Sequence, residues 1–187
     1  MACVLTKGRI EPCKDIQGGL KAVWFTNFGD YGTVTQTDYE VTDMTGTFSA
    51  YKYELKGNSS FEQTITSSRE NGTTFFEQTL NLTLKKLSKA DNKEIKLLSY
   101  GRPHIVIEDN NKQFFVMGLE NGAEVSGGTI VTGAAMGDLA GYTLTFSAQE
   151  EKPANFLAQN NAGIDVAEYP FDDMPSATVT IVSGSDF

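Results

Sequence analysis

Hydrophobic and polar residues alternate most regularly between Phe48 and Leu84. The first alternating stretch has an aromatic-rich side and a charged side, made of Tyr51, Tyr53 and Leu55 against Lys52, Glu54 and Lys56. The second repeats the pattern, with Phe61, Gln63 and Ile65 against Glu62, Thr64 and Thr66. Because side chains of a β-strand alternate between faces, this period predicts strands with one apolar and one polar side.

A third stretch, Thr73 to Leu84, follows the turn signal Asn71-Gly72. Its apolar side carries Phe76, Leu80, Leu82 and Leu84, and its other side carries Phe75, Glu77, Thr79 and Asn81. Three long antiparallel strands in sequence are the simplest interpretation. The side with Glu62, Thr64, Glu77 and Thr79 is then expected to meet water or a polar partner.

A single helix is predicted from Ser88 to Tyr100, because Ser88 can cap it, an apolar stripe follows, and Gly101 with Pro103 ends it. Strands are predicted on both sides of this helix. They are 20–27, a weaker one at 33–41, a hairpin of 104–108 with 113–117, 142–148 and 177–183. No element is predicted in the Gly-rich span 118–141, whose glycines from Gly127 to Gly137 are expected to lie in a flexible loop that orders in an assembly. Residues 152–158 are expected to form at most a short helix.

Adjacent aromatic pairs give the strongest indication of layering. Neighbouring side chains on a strand point to opposite faces, so each pair implies a strand that is apolar on both sides. The pairs are Trp24-Phe25, Phe75-Phe76 and Phe114-Phe115. They require a sandwich, a covering helix or a partner subunit. The predicted fold class is therefore mainly β, an antiparallel sandwich or barrel with one α-helix at about residues 88–100.

Length and charge suggest one domain with extensions. At 187 residues the chain suits a single domain, which we predict over 20–187, with an N-terminal arm at 1–19. The net charge of −9 is concentrated at the end, where an acidic loop precedes the final strand. This acidity argues against a stable nucleic-acid binder, whose phosphate contacts need clustered Lys and Arg. No apolar run approaches a membrane helix and no leader is apparent, so we expect a protein kept inside a cell.

Candidate chemistry is sparse, and we predict no catalytic, cofactor-binding or metal-binding residue and no enzyme activity. The lone His104 sits in an alternating strand and is interpreted as a core or rim imidazole. Cys3 and Cys13 are expected to be reduced, with a disulfide or a metal as alternatives. A calcium site in the acidic loop between Asp165 and Asp173 is a minor alternative. The glycines from Gly127 to Gly137 lack the spacing of a phosphate-binding loop.

The chain resembles the tail-tube proteins of bacteriophages and the related tubes of contractile injection and type VI secretion systems. The resemblance rests on long antiparallel strands, a mid-chain helix and the strand pair Ile105-Val-Ile-Glu-Asp and Phe114-Phe-Val-Met-Gly. It also rests on Asp138-Leu-Ala-Gly-Tyr-Thr-Leu-Thr-Phe-Ser-Ala-Gln-Glu-Glu-Lys-Pro-Ala near the end, and on Gly8-Arg9, Cys13-Lys-Asp and Gly18-Gly19 at the start.

This resemblance implies a structural virion protein, assembled in the host bacterial cytoplasm, that forms stacked rings, commonly sixfold. Inner strands of such rings close into a barrel through which genomic DNA passes. The implied partners are copies of the chain and other tail or neck proteins, with no membrane and no cofactor. The region 51–84 would supply the lumen strands. We assign Tyr51, Tyr53, Phe61 and Phe75 to subunit interfaces and Glu62, Thr64, Glu77 and Thr79 to the lumen.

Other functions are compatible with the same residues. A capsid decoration protein or a head-to-tail connector would also be a virion component without catalysis. A carbohydrate-binding or adhesin β-sandwich would instead use exposed Tyr and Trp side chains to stack on sugars. Glycan binding that is lost in Trp24→Ala with the fold intact would favour this last function.

Overall fold

The structure is a computed structural model that describes residues 5, 7–11, 13–159 and 168–184. Before the helix, the strands are β1 Leu20–Thr26, β2 Val34–Thr37, β3 Glu40–Met44, β4 Gly46–Glu54, β5 Ser60–Ser68 and β6 Thr73–Lys85. The helix is α1 Lys89–Tyr100. The strands that follow are β7 His104–Asp109, β8 Phe114–Met117, β9 Glu124–Val131, β10 Gly141–Glu150, β11 Asn155–Leu157 and β12 Ala177–Ser183. The expected mainly β fold with one helix is confirmed.

The strands form two sheets. The large sheet has eight strands in the order β12-β4-β1-β7-β8-β11-β3-β2, and the small sheet has four in the order β5-β6-β10-β9. All neighbours are antiparallel except β12 with β4 and β11 with β3. The small sheet is built from two hairpins whose inner strands, β6 and β10, pair along ten residues each, from Gly141 opposite Lys85 to Glu150 opposite Phe76.

The large sheet is apolar on both faces, as the pairs Trp24-Phe25 and Phe114-Phe115 predicted. The same prediction is wrong for Phe75-Phe76, which lies on β6 of the small sheet, where Phe75 is on a polar side opposite Thr66. Trp24 and Phe114 enter one buried cluster, whereas their neighbours Phe25 and Phe115 pack in another. The first cluster is covered by the segment 168–176, from which Phe171 and Met174 are almost completely buried. The two faces of this sheet therefore need two separate covers.

The small sheet and α1 cover the second face of the large sheet. Leu80, Leu82 and Phe146 of the small sheet are fully buried there, and the ring of Phe146 lies 5.3 Å from that of Phe25. Burying each such side chain contributes roughly 1.5–3 kcal/mol. This cluster joins the two sheets into a sandwich.

A glycine makes the corner at which β3 continues into β4. Gly46 has φ +125°, and a Cβ atom there would lie 2.8 Å from the Asp30 carbonyl oxygen. A residue with a side chain would be strained both by this backbone conformation and by this close approach, so the position requires glycine. The corner leads from β3, near one end of the strand order of the large sheet, to β4, near the other end. Both strands contribute residues to the first cluster.

Helix α1 begins as its sequence predicts. Ser88 is the N-cap, and its side-chain oxygen accepts a hydrogen bond from the backbone N–H of Asp91 at 3.0 Å. The Tyr142 hydroxyl fixes the same end by donating to Asn92 Oδ1 at 2.7 Å. The described part of the chain has no helix long and apolar enough to cross a bilayer.

One strand pairing in the sequence interpretation is wrong. The stretches at 46–54, 60–68 and 73–85 do not form three successive antiparallel neighbours, because β4 pairs with β1 and β12 in the large sheet. Only β5 and β6 pair with each other. The region 51–84 is therefore divided between two sheets, and Tyr51 and Tyr53 lie in a different sheet from Phe61 and Phe75.

Three local predictions are also corrected. The Gly-rich span 118–141 contains strand β9, held by β10 along seven register pairs. The stretch 152–158 contains the short strand β11, Asn155–Leu157, instead of a helix, because β3 and β8 supply partners on both sides. The expected strand 33–41 is two strands, with Asp38 and Tyr39 both at positive φ in the turn between them.

Candidate assembly surface

The outward side of the small sheet brings all four predicted lumen residues together. Glu62 of β5 lies directly opposite Thr79 of β6, and Thr64 lies opposite Glu77. These are cross-strand neighbours on one face, since residues paired in a sheet point to the same side. The polar sides of two separately predicted strands thus form one continuous patch.

The patch continues across β10 and β9. The Thr145 hydroxyl donates to Asn81 Oδ1 at 2.9 Å, and the hydroxyls of Thr129 and Thr143 lie 2.6 Å apart. We name this surface the polar face, and its members are Ser60, Glu62, Thr64, Thr66, Ser68, Thr73, Phe75, Glu77, Thr79, Asn81, Thr83, Lys85, Thr143, Thr145, Ser147, Gln149, Glu124, Thr129 and Val131. Short hydroxyl and amide side chains dominate it.

The polar face is acidic. Glu62, Glu77 and Glu124 lie on it, and Lys85 at the end of β6 is its one cation among the four strands of the small sheet. The acids on β5, β6 and β9 give it a negative potential that repels phosphate.

Both edges of the small sheet are open. β5 and β9 stand at the ends of the strand order, and neither has a second strand partner among the described residues. An unpaired edge presents a row of N–H and C=O groups that can pair with another chain. The small sheet therefore offers two edges that a further copy can extend.

The four predicted interface residues lie in three places. Phe61 is half-buried at β5 and packs 5.9 Å from the ring of Phe115, whereas Phe75 lies on the polar face opposite Thr66. Tyr51 and Tyr53 instead line a cleft of about 330 Å³ between α1 and strands β1 and β4. The structure does not bring the four together.

The cleft combines aromatic walls with charged rims. The Arg102 guanidinium lies 3.9 Å above the Phe28 ring, a cation–π arrangement. Burial raises the pKa of Tyr53 to about 12, and the negative charges of Glu94 and Asp91 add to this shift. Tyr53 therefore stays a neutral phenol in the wall of the cleft. An acid-base role would require a lowered pKa instead.

Sequence reasoning missed several large apolar side chains that are exposed. Beside β5 these are Ile65 at 65% and Phe156 at 42% exposure, and beside β9 and α1 they are Ile130 at 61%, Leu97 at 55% and Tyr100 at 81%. The alternation placed Ile65 on the apolar side of β5, but it gave no indication that the large sheet leaves this residue uncovered.

His104 is a core residue, as its strand position predicted. Its ring is stacked 4.5 Å from Tyr31 and 5.0 Å from Phe28. Nδ1 donates to the Gly118 carbonyl at 2.7 Å, and Nε2 accepts from the Gly29 N–H at 3.4 Å. This pairing uses both nitrogens of a neutral imidazole, and burial lowers the pKa of His104.

Glu150 is a second buried polar group with a structural role. One carboxylate oxygen accepts the backbone N–H groups of Glu120 at 3.1 Å and Asn121 at 2.9 Å. Burial raises the pKa of Glu150, and these two hydrogen bonds oppose that rise. The carboxylate thus holds the turn between β8 and β9 against the end of β10.

The remaining candidates do not form a reactive site. Trp24 is fully buried, so it presents no surface for a sugar. Among the described residues no group of three His, Cys, Asp or Glu side chains is arranged to hold a metal ion. Cys13 is exposed, whereas Cys3 and Asp165 lie outside the described residues, as do parts of the predicted disulfide and calcium sites.

The base of the predicted N-terminal arm is attached to the turn between β7 and β8. Asn111 exchanges two hydrogen bonds with the backbone of Gln17, at 2.8 and 2.7 Å, and Asn110 Nδ2 donates to the Gly18 carbonyl at 2.7 Å. The described residues before Gly19 form no helix or strand.

Comparison with known proteins adds no relative, since no family model, curated protein or solved structure matches the chain.

Proposed function

We propose that this protein is a structural subunit that assembles into rings, stacked as the tail tube of a bacteriophage, with the polar face lining a channel for DNA. The observation that carries this proposal is an acidic, hydroxyl-rich sheet face bordered by two open edges. A second copy that pairs β9 with β5 removes one edge from each chain, and closing the ring removes all of them.

Strand direction supports closure by identical copies. The four neighbours β5, β6, β10 and β9 alternate in direction because every pair in the small sheet is antiparallel. With an even number of strands, β9 of one copy runs opposite to β5 of an identically oriented copy. The new pair is therefore antiparallel as well, and repetition is head-to-tail, the arrangement that makes rings.

The chemistry of the polar face suits a passage better than a binding site. Stable DNA binding requires Lys and Arg to neutralise phosphates, and this face carries three glutamates against Lys85. Its threonine and asparagine side chains are already paired with one another at several positions. A duplex inside such a bore meets a wetted, repelling wall and can slide.

The test is the assembly state of the purified chain. Sedimentation velocity and negative-stain electron microscopy over a concentration series are expected to show rings or tubes with a central channel. A species that remains monomeric at the highest concentrations would contradict the proposal. Ile130→Pro in β9 is the variant for this test. Proline at position 130 lacks a backbone N–H and obstructs pairing along that strand, so the variant is expected to assemble less than the wild type.

A further inference from the structure

We propose that the cleft between α1 and strands β1 and β4 binds a small zwitterion, with its cationic group at Glu94, its anionic group at Arg102 and an apolar body between them. The residues that line this cleft come from β1, β4, α1 and the segments that follow β1 and α1, and none of those described belongs to the small sheet. A ligand here therefore leaves the polar face and its two open edges free. Binding would be a further function beside the proposed assembly.

The floor of the cleft is aromatic and comes from the large sheet. Phe25 of β1 lies directly opposite Tyr51 of β4, and Tyr53 lies two residues along the same strand and therefore on the same face. The rings of Phe25 and Tyr53 are 5.1 Å apart in an edge-to-face arrangement. Tyr51 remains 39% exposed, so the floor offers an open aromatic surface that an apolar ligand body can cover.

One end of the cleft is cationic. Thr26, the last residue of β1, pairs with His104, the first residue of β7. The short connection from α1 to β7 therefore brings Arg102 to this end of β1, where its guanidinium lies 3.9 Å above the Phe28 ring. A guanidinium that is stacked through its face keeps the N–H groups in its plane available for a carboxylate.

The other end of the cleft is anionic. Glu94 lines the cleft from α1, about 10 Å along the helix axis from the C-cap Gly101. Tyr53 pairs with Val23, about 10 Å before the end of β1. The negative charges of Glu94 and Asp91 both act on Tyr53, so these carboxylates lie at the Tyr53 end of the floor. The cleft thus has opposite charges at its two ends.

Neither charge is neutralised within the described part of the chain. Glu94 and Arg102 form no ion pair with each other or with another described residue, and their side chains make no hydrogen bond there. The hydroxyl groups of Tyr51 and Tyr53 also have no hydrogen-bond partner among the described residues. Both charges and both hydroxyls are therefore available to a ligand.

The class of ligand follows from this charge arrangement. A zwitterion with its charges about 10 Å apart can pair with Glu94 and Arg102 at once, whereas a ligand with a single charge leaves one of them unpaired. An apolar body between the charges covers the aromatic floor. The cleft volume of about 330 Å³ is typical of sites for small molecules.

The tripeptide Gly-Phe-Gly is a suitable probe, because its free amino and carboxylate termini are about 10 Å apart when the chain is extended. Isothermal titration calorimetry is expected to show that the free tripeptide binds about fivefold or more tightly than the same peptide with an acetylated N-terminus and an amidated C-terminus. Equal affinity of the two forms, or no binding of the free form up to about 10 mM, would overturn the proposal.

Two variants assign the ends of the cleft. In Glu94→Gln, acetylating the peptide N-terminus should no longer weaken binding, while amidating the C-terminus still does. In Arg102→Gln the two sensitivities should be exchanged. Lys96→Gln is the matched control, since it removes a charge from an exposed position of α1 that does not line the cleft, and it should keep both sensitivities.

Circular dichroism and thermal melting check that the variants are folded. If Glu94→Gln and Arg102→Gln are folded and both keep the two sensitivities, the peptide binds elsewhere and the proposal is overturned. Such a result leaves the ring proposal standing, because the polar face and the edges β5 and β9 lie outside the cleft.

Discussion

At the scale of single residues, His104 links the loop after β1 to the turn after β8. The ring is held by the Gly118 carbonyl on one side and the Gly29 N–H on the other, between two aromatic rings. Protonation at Nε2 would remove the acceptor of the Gly29 N–H and place a cation in the core. Two charged groups act in opposite directions on the pKa of His104, since the negative charge of Asp30 raises it and the positive charge of Arg102 lowers it.

This arrangement predicts a pH-dependent stability. Because burial lowers the folded pKa of His104 below its ordinary value near 6.5, the unfolded chain binds the proton more readily. The stabilisation is complete above pH 6.5 and is lost as the pH falls through the folded pKa. Urea unfolding at pH 7.5 and 5.5 is expected to show a larger loss of unfolding free energy in the wild type than in His104→Phe.

The variant keeps the aromatic stack and every carboxylate, including Glu150, whose raised pKa has the opposite effect on stability. His104 is the only histidine in the chain, so the difference between the two proteins isolates its titration. Equal losses in both would contradict the assignment of a lowered pKa.

At the scale of elements, the sequence predicted the features that depend on residues close together in the chain. The helix with its Ser88 cap, the 104–117 hairpin and the final strand at 177–183 all follow from short-range signals, and the structure has them. Strand β9 was missed because Gly127 and Gly128 weaken its pattern, while β10 supplies the pairing. β4 was given the wrong partner because period-2 alternation fixes which side a residue faces and leaves open which sheet the strand joins.

The cap at Ser88 gives the element-scale prediction. Ser88→Ala removes the acceptor of the Asp91 N–H and should lower the free energy of unfolding by about 1 kcal/mol. Ser99→Ala near the other end of α1 is the matched control, because it loses only a bond donated to the Lys96 carbonyl of the same helix. Urea melts measure both. Equal effects would mean that the cap adds nothing.

At the scale of the whole molecule, the polar face lines the channel of the proposed ring, so its negative charge would set the charge of that channel. The sequence predicted the four residues of its central patch, since each lies on the polar side of an alternating strand. It could not predict that Ile65 and Ile130 are exposed, because their exposure depends on which parts of the small sheet are covered in the folded chain.

Reversing the negative charge of the polar face should make the proposed assembly bind DNA. In the assembled form, Glu62→Lys with Glu77→Lys is expected to retain short duplex DNA at low salt, with affinity that falls steeply as salt rises. Glu11→Lys with Asp15→Lys is the matched reversal at exposed sites outside the small sheet. Fluorescence anisotropy of labelled DNA measures retention. Equal retention of DNA by both variants would contradict the assignment of the polar face to the channel.

The alternating directions in the small sheet also fix the ends of any tube. All copies point the same way, so one mouth is ringed by the loops 132–140, where Met136 is fully exposed, and the other by the turns 69–72 with Arg69 and Glu70. Two unlike mouths mean that proteins that start the tube and proteins that stop its growth face different chemistry. A tube assembled from these subunits would therefore be polar, with two different ends along its axis.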